Sequence, residues 1–229
     1  MIDAGRKRCC VLVAAAGIGG FALAPARAAE TVYDYHIEHP RYGDIGTYRN
    51  VIKQDGNGSE ISTELRIAVK FLGIVVYREN ANRTEEWQDG RLVRFDGVTD
   101  TNGSRIELHG EAKGDQFVMR TPNGTITAPA NVHPSNPWAQ TVLDTNMMMS
   151  AKTGRVEKVS VTGPADANVT FDGKDLRLKQ YEIDGDKRQF VWFDDRGVPF
   201  AMRTVEDGSQ VDFVLTHASA GAPEQHAQN

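Results

Sequence analysis

Dipeptides that join Asp or Asn to Gly punctuate this chain, at Asp55-Gly56, Asn57-Gly58, Asp89-Gly90, Asn102-Gly103, Asn123-Gly124, Asp172-Gly173, Asp184-Gly185 and Asp207-Gly208. Such pairs supply the positive φ that two-residue hairpin turns demand, which most side chains adopt only under strain. Between the turns, residues alternate with period two. From Glu60 to Phe71, Ile61, Leu65, Ile67, Val69 and Phe71 share one face, while Glu60, Ser62, Glu64, Arg66 and Lys70 occupy the other. One face is buried and the other is wet.

The same reading gives strands at Val32 to His39, Thr47 to Gln54, Ile74 to Trp87, Arg91 to Thr99, Arg105 to Gly110, Gln116 to Thr121 and Arg155 to Val161. Leu176 to Ile183, Arg188 to Asp194, Phe200 to Val205 and Gln210 to His217 continue the series. The expected fold class is all-β, a long antiparallel meander forming an open or half-closed barrel with one short helix. A two-sheet sandwich is the alternative, since a sheet of so many strands must curl or split to cover its apolar side. The helix is expected from Pro137 to about Leu143, with Asn136 as its cap and a continuation towards Met149.

The first residues read as an address. Arg6, Lys7 and Arg8 precede an uncharged run from Cys9 to Ala24, and Ala26-Arg27-Ala28 gives the small-x-small pattern of a signal peptidase site. Residues 1–28 are therefore expected to be a cleaved signal peptide, cut after Ala28 or Ala29, with a periplasmic product. The apolar run is shorter than the roughly 18 residues a spanning helix needs. Adjacent arginines are absent from Arg6-Lys7-Arg8, which favours the general secretory route over twin-arginine export. Residues 29–217 are expected to form a single β domain, and the small polar stretch 218–229 a disordered tail.

Both cysteines, Cys9 and Cys10, fall inside the signal segment, so the mature chain has none. Disulfides, thiol nucleophiles and Cys-ligated zinc are excluded with them. The whole chain carries a formal charge of -5. Without residues 1–28, 22 Lys and Arg face 30 Asp and Glu. An acidic protein lacks the basic face that nucleic-acid binding requires and is repelled by anionic headgroups.

The stretch Tyr35-His36-Ile37-Glu38-His39-Pro40-Arg41-Tyr42-Gly43-Asp44-Ile45-Gly46, then Glu86-Trp87-Gln88-Asp89-Gly90-Arg91-Leu92, resembles an uncharacterised family of bacterial exported proteins known only as a domain of unknown function. His133-Pro134-Ser135-Asn136-Pro137-Trp138, Thr153-Gly154, Tyr181-Glu182-Ile183 and Val191-Trp192-Phe193-Asp194 extend the likeness over nearly all the mature chain. The resemblance implies no activity that can be carried over by residue. In general character it is similar to periplasmic half-barrels that carry lipoproteins or lipids.

The residues themselves offer little chemistry. His36 and Glu38 share a strand face but His39 points away, so a metal site would lack its third ligand. Glu85-Glu86 likewise point to opposite faces, and Asp194-Asp195-Arg196-Gly197 reads as a turn. Neither makes a glycosidase pair, which needs facing carboxylates. Lys152-Thr153-Gly154 matches one motif of penicillin-recognising enzymes, but the Ser-x-x-Lys nucleophile motif is missing. No catalytic residue, metal ligand or cofactor is therefore assigned. The candidate ligand-binding residues are Trp138, Val142, Met148, Met149 and Phe71, because flexible methionines beside a tryptophan suit varied apolar ligands. These define the expected function, binding of a lipid or other amphiphile within the barrel. A non-enzymatic envelope interaction or structural protein is the alternative, and a hydrolase using acids from separate strands, such as Glu38 or Asp194, comes third.

Overall fold

The computed structural model describes residues 29–171, 173–206 and 208–220. The expected signal peptide, both cysteines and the tail beyond Ala220 lie outside the described residues. Eight strands come first: β1 (Ala29–His39), β2 (Gly43–Asp55), β3 (Gly58–Phe71), β4 (Ile74–Gln88), β5 (Arg91–Thr101), β6 (Ser104–Lys113), β7 (Gln116–Thr121) and β8 (Gly124–Pro129). A linking segment holds β9 (His133–Pro134), a 3-10 turn (Gln140–Leu143), β10 (Met147–Met149) and β11 (Val156–Lys158). Then come β12 (Ser160–Phe171), β13 (Lys174–Asp184), β14 (Arg188–Phe193), β15 (Pro199–Glu206) and β16 (Ser209–Ala220).

The chain forms the expected all-β meander. Thirteen strands make one antiparallel sheet in the order β12-β13-β14-β15-β16-β1-β2-β3-β4-β5-β6-β7-β8. Each step but one is a hairpin between consecutive strands, and the exception is β16 against β1, which joins the two ends of the domain. The sheet does not close. Its edges are β12 and β8, and both carry proline, Pro164 and Pro129, which offers no N–H to a passing strand.

Curvature follows from contacts across the sheet. Arg83 on β4 and Val191 on β14 line the same small cleft, although six inter-strand steps separate their strands. A flat sheet would hold them roughly 29 Å apart. The sheet is therefore rolled into a half-barrel, and the chain from Ala130 to Val159, which links the two edges, fills its mouth. Within that segment β9, β10 and β11 form a separate three-stranded sheet.

The inner face is packed on this plug. Ile52, Ile61, Trp87, Leu92, Phe95, Leu108, Phe117 and Met119 meet Trp138, Val142, Met149 and Ala151 of the linking segment. Tyr35, Ile37, Ile45, Tyr48 and Leu65 continue the core across β1 to β3. On the far side, Leu143 and Met148 meet Ile183, Val191 and Phe193. The outer face is not uniformly wet. Beyond its last pairing with β14, Lys179↔Phe193, the β12–β13 hairpin bends so that Phe171 packs on Trp192 and Phe200 at ring-centroid distances of 5.4 and 6.2 Å. Leu178, Ala201 and Val214 complete this second cluster.

Three expectations need correction. The helix from Pro137 is a single 3-10 turn over Gln140–Leu143, preceded by Ala139 in extended conformation. Asn136 does not cap it, because its side chain is drawn into the sheet, as described below. Met147–Met149 form a strand rather than a helical continuation, since the backbone of β10 is hydrogen-bonded to β9 and β11. The strand expected from Arg155 to Val161 is two strands, β11 in the plug and β12 in the main sheet. In addition, β16 extends to Ala220, three residues into the stretch read as tail, paired with Thr31 to Tyr33.

Close packing explains some glycines that make no turn. A Cβ built on Gly110 would lie 2.4 Å from the ring of Phe117, which is 1% exposed and has nowhere to go. Gly110→Val is expected to destabilise the fold by about 1–3 kcal/mol through overpacking. A lowered urea midpoint at unchanged denaturant slope would show it, and an unchanged midpoint would refute the packing argument.

Candidate binding cleft

Alternation on β2, β3 and β4 points Tyr48, Asn50 and Ile52, then Ile61, Thr63 and Leu65, then Ala81, Arg83, Glu85 and Trp87 to the inner face. Four of these are polar or charged in a face that is otherwise apolar. A buried polar group without a partner costs about 1–3 kcal/mol, and the sheet cannot supply all the partners itself. Asn136 does. Its Oδ1 accepts hydrogen bonds from the Tyr48 hydroxyl at 2.7 Å and from Asn50 Nδ2 at 3.1 Å. Its Nδ2 donates to Glu85 Oε1 at 2.8 Å and to Thr63 Oγ1 at 3.2 Å. Thr63 in turn donates to Asn50 Oδ1 at 2.7 Å, and Trp87 Nε1 donates to Glu85 Oε2 at 2.9 Å.

Glu85 is fully buried. Removal from water pushes its carboxyl from 4.5 up to about 7, against the opposing pull of the Asn136 and Trp87 N–H donors and the Arg83 charge. The Trp138 indole adds to that pull without meeting hydrogen-bond geometry. Burial likewise raises the Tyr48 hydroxyl to about 12, with Arg83 working the other way, so it stays a donor to Asn136. Nearby, His133 is T-shaped against Trp87 at 4.9 Å, and its Nδ1 lies 2.7 Å from the Val142 carbonyl oxygen. Burial lowers the His133 pKa, partly offset by that carbonyl.

Beside this network lies a cleft of about 110 Å³. Arg83, Tyr48, Ser135, Gln189, Thr204 and Arg203, the last paired with Asp212, provide its polar lining, and Leu65, Pro137, Phe190, Val191, Met202 and Phe213 its apolar walls. Arg83 Nε is buried and has no hydrogen-bond partner among the described residues. Glu85 and Asn136 do not line the cleft, and both Glu85 oxygens are engaged. Its raised pKa therefore belongs to a structural carboxyl rather than to an accessible acid.

The five candidate ligand-binding residues do not converge on one surface. Trp138, Val142 and Met149 are buried together in the main core, with Trp138 T-shaped against Trp87 at 6.0 Å. Met148 faces the other way, into the cluster with Ile183 and Phe193. Phe71 is 50% exposed at the tip of the β3–β4 hairpin. Sequence reading missed Tyr48, Asn50, Thr63, Arg83 and Glu85. A signal was available: each is a polar or hydroxyl-bearing residue in the inward register of a strand whose other inward residues are apolar.

The other acids and histidines that the sequence singles out are engaged with neighbours. His36 Nε2 lies 3.2 Å from Glu38 Oε1. Asp194 Oδ1 accepts from the Arg196 and Val198 backbone N–H groups at 2.9 Å each, which makes its turn. Glu86 faces outward, near Arg94. Lys152 pairs with Glu79 at 2.6 Å, so the Lys-Thr-Gly stretch is a turn anchored to β4. Among the described residues, no group of three or more His, Cys, Asp or Glu is placed to hold a metal ion. No helix there is long and apolar enough to cross a membrane.

A half-rolled antiparallel sheet plugged by its own linking segment is a β-barrel-like protein. Residues 41–216 match the family described as Domain of unknown function (DUF6134), and the chain belongs to that family. No curated protein matches the sequence. Among solved structures, the β-barrel-like protein of the domain of unknown function DUF1849 from Brucella abortus is similar in fold, with a TM-score of 0.58. The two chains are 13% identical, over 86% of this chain and 99% of that one. A DUF1329 family protein from Desulfovibrio piger aligns over 87% of this chain and 88% of its own at 9% identity, with a TM-score of 0.21, too low to bear on the fold.

The Glu85 carboxyl gives the network a pH signature. In the unfolded chain it ionises near 4.5, whereas the folded protein holds the proton until about 7. The native state thus binds more protons across that window, and stability falls as pH rises through it, by on the order of 3 kcal/mol. Glu85→Gln is expected to remove this slope. Melting temperatures of both proteins from pH 4 to 8 would test it: their difference should shift steadily in favour of the variant as pH rises. A difference independent of pH would mean that Glu85 is not buried as described.

Proposed function

We infer that the protein is exported to the periplasm and acts there as a non-enzymatic binding protein, holding the acidic head of a small amphiphile in the cleft beside Arg83. The observation that carries this reading is the buried Arg83 Nε without a partner, set in a cleft whose walls mix polar and apolar side chains. A carboxylate or sulfate would satisfy that donor, and the Ser135 and Thr204 hydroxyls and the Gln189 amide would donate the remaining hydrogen bonds to it, the Tyr48 proton being held by Asn136. Leu65, Val191, Met202 and Phe213 would receive the first carbons of the tail.

Size limits the ligand. Pockets for drug-sized molecules run from roughly 300 Å³ upwards, well above the 110 Å³ present. The interior that a half-barrel lipid carrier would leave open is filled by Trp138, Val142 and Met149. A short-chain amphiphile therefore suits this cleft, and a whole phospholipid does not. Export rests on the charged, apolar and small-x-small order of residues 1–28. The hydrolase alternative finds no support in the local engagement of Glu38, Asp194 and Glu85.

Native mass spectrometry of protein exported and purified without detergent, with and without added octanoate or octyl sulfate, tests the reading. A stoichiometric adduct that Arg83→Gln weakens at least tenfold, with an unchanged melting temperature, is the expected result. An apo mass that takes up neither probe would overturn it and favour an interaction protein.

A further inference from the structure

The β3–β4 hairpin stands out from the rest of the sheet. β2 pairs with β3 only as far as Gly46↔Ile67, and β5 pairs with β4 only as far as Glu79↔Thr101. Beyond these points Ala68↔Arg78, Val69↔Tyr77, Lys70↔Val75 and Phe71↔Ile74 pair strand to strand only with each other, Arg78 being held in addition by Asn102 of the β5–β6 turn. β2 itself runs on to Gly43, paired there with β1 rather than β3, so the turn from Phe71 to Ile74 is the part that reaches the end of the sheet without a neighbouring strand.

That tip is apolar. Phe71, Leu72, Ile74, Val75 and Val76 are 50%, 86%, 69%, 39% and 54% exposed, and among the described residues they account for all the large exposed hydrophobic side chains. The turn is costly in a second way. Leu72 adopts φ of 50°, the left-handed region that Asp89 and Asn102 occupy in the equivalent turns of β4–β5 and β5–β6. Asn and Asp tolerate that region and are wetted without penalty, whereas leucine is disfavoured on both counts. Folding alone would select the polar residues that the same protein uses elsewhere.

Charge identifies the occupant. From Lys70 to Arg78 the sequence has two cations and no acid, in a chain whose formal charge is -5, while Arg66 just before it is paired with Glu64. Lys70 and Arg78 are exposed just behind the apolar tip. Apolar side chains in front and cations one or two residues behind match the order of acyl region and anionic headgroups at a membrane surface. The tip carries no acid of its own to cancel this, since Phe71 to Val76 are uncharged and the nearest charged residues on either side, Lys70 and Arg78, are both cationic. A protein partner fits less well: Phe71 to Val76 offer no side-chain hydrogen-bonding group, while protein interfaces carry about one hydrogen bond per 100–200 Å².

We propose that the β3–β4 hairpin docks the protein on an anionic lipid bilayer, with Phe71, Leu72 and Ile74 in the interfacial region and Lys70 and Arg78 on the headgroups. Penetration is shallow. The hairpin edges carry unpaired backbone groups that hydrocarbon cannot satisfy. The proposal is independent of the Arg83 cleft and stands or falls separately from it.

Flotation of the mature chain with vesicles of phosphatidylethanolamine and phosphatidylglycerol, against vesicles of phosphatidylcholine alone, tests it. The protein is expected to float with the anionic vesicles and to be released at least fivefold by 0.5 M NaCl. The double variant Leu72→Asn, Ile74→Ser should lose binding at least tenfold and melt no lower than the parent, since Asn relieves the left-handed turn. Lys70→Gln with Arg78→Gln should abolish the preference for anionic lipid. The proposal is overturned if the parent fails to float with any vesicle, if the tip variant floats undiminished, or if sedimentation shows the tip instead joining two copies of the chain.

Discussion

Asn136 has to answer four buried partners at once, and the placement of everything in the mouth of the half-barrel follows from that. Tyr48, Asn50, Thr63 and Glu85 come from three adjacent strands and present polar groups to a face sealed from water. A carboxamide suits the position because it accepts on one side and donates on the other. Aspartate would have no N–H to donate to Glu85 and Thr63, and leucine would leave the Tyr48 hydroxyl, Asn50 Nδ2 and Glu85 Oε1 without the partner that Asn136 gives them. Satisfying the set fixes the chain at Ser135 to Trp138, and with it Trp138 against Trp87 and Pro137 against the cleft.

The unclosed sheet creates the need that this residue meets. Thirteen strands rolled into a half-barrel leave an apolar trough, and the segment joining the edge strands is the only described part of the chain that crosses it. Apolar side chains alone would place that segment loosely, because hydrophobic contact has little directionality. The hydrogen bonds at Asn136 supply the direction, and Met148 and Met149, on opposite sides of β10, seal it to both halves of the sheet. What remains beside Arg83 is a cleft of about 110 Å³, too small to hold a whole lipid.

Local chemistry was legible and long-range chemistry was not. Asp89-Gly90 and Asn102-Gly103 make the turns expected of them because φ preference is a property of the dipeptide itself. Asp96-Gly97 is the same dipeptide in the middle of β5, where the glycine is kept because a Cβ would sit 2.9 Å from the Phe95 ring. Alternation found the buried face of β3 and put Phe71 on it, but only the register shows that pairing with β2 stops short of that residue. Asn136 looked like a helix cap because its partners Tyr48, Asn50 and Thr63 are 73 to 88 positions away. With nothing nearby competing for its side chain, a cap is the natural local reading. The polar inward residues lost their meaning for the same reason: their explanation lies in a different part of the chain.

One strand connects these observations. β4 carries the exposed Ile74 to Val76 at its start, Glu79 held by Lys152 of the plug, Arg83 at the cleft, and Glu85 and Trp87 at the Asn136 network. Nine residues separate Ile74 from Arg83, about 30 Å of extended chain, and the inner row between them is fixed by Glu79 and by buried Ala81. Substitutions that far apart with no shared partner act additively. The tip and the cleft are therefore separable in energy although they share a strand. The tip can give up stability to exposed leucine and valine without loosening the network that positions Arg83, because Glu79 and Lys152 tie the strand to the plug between them.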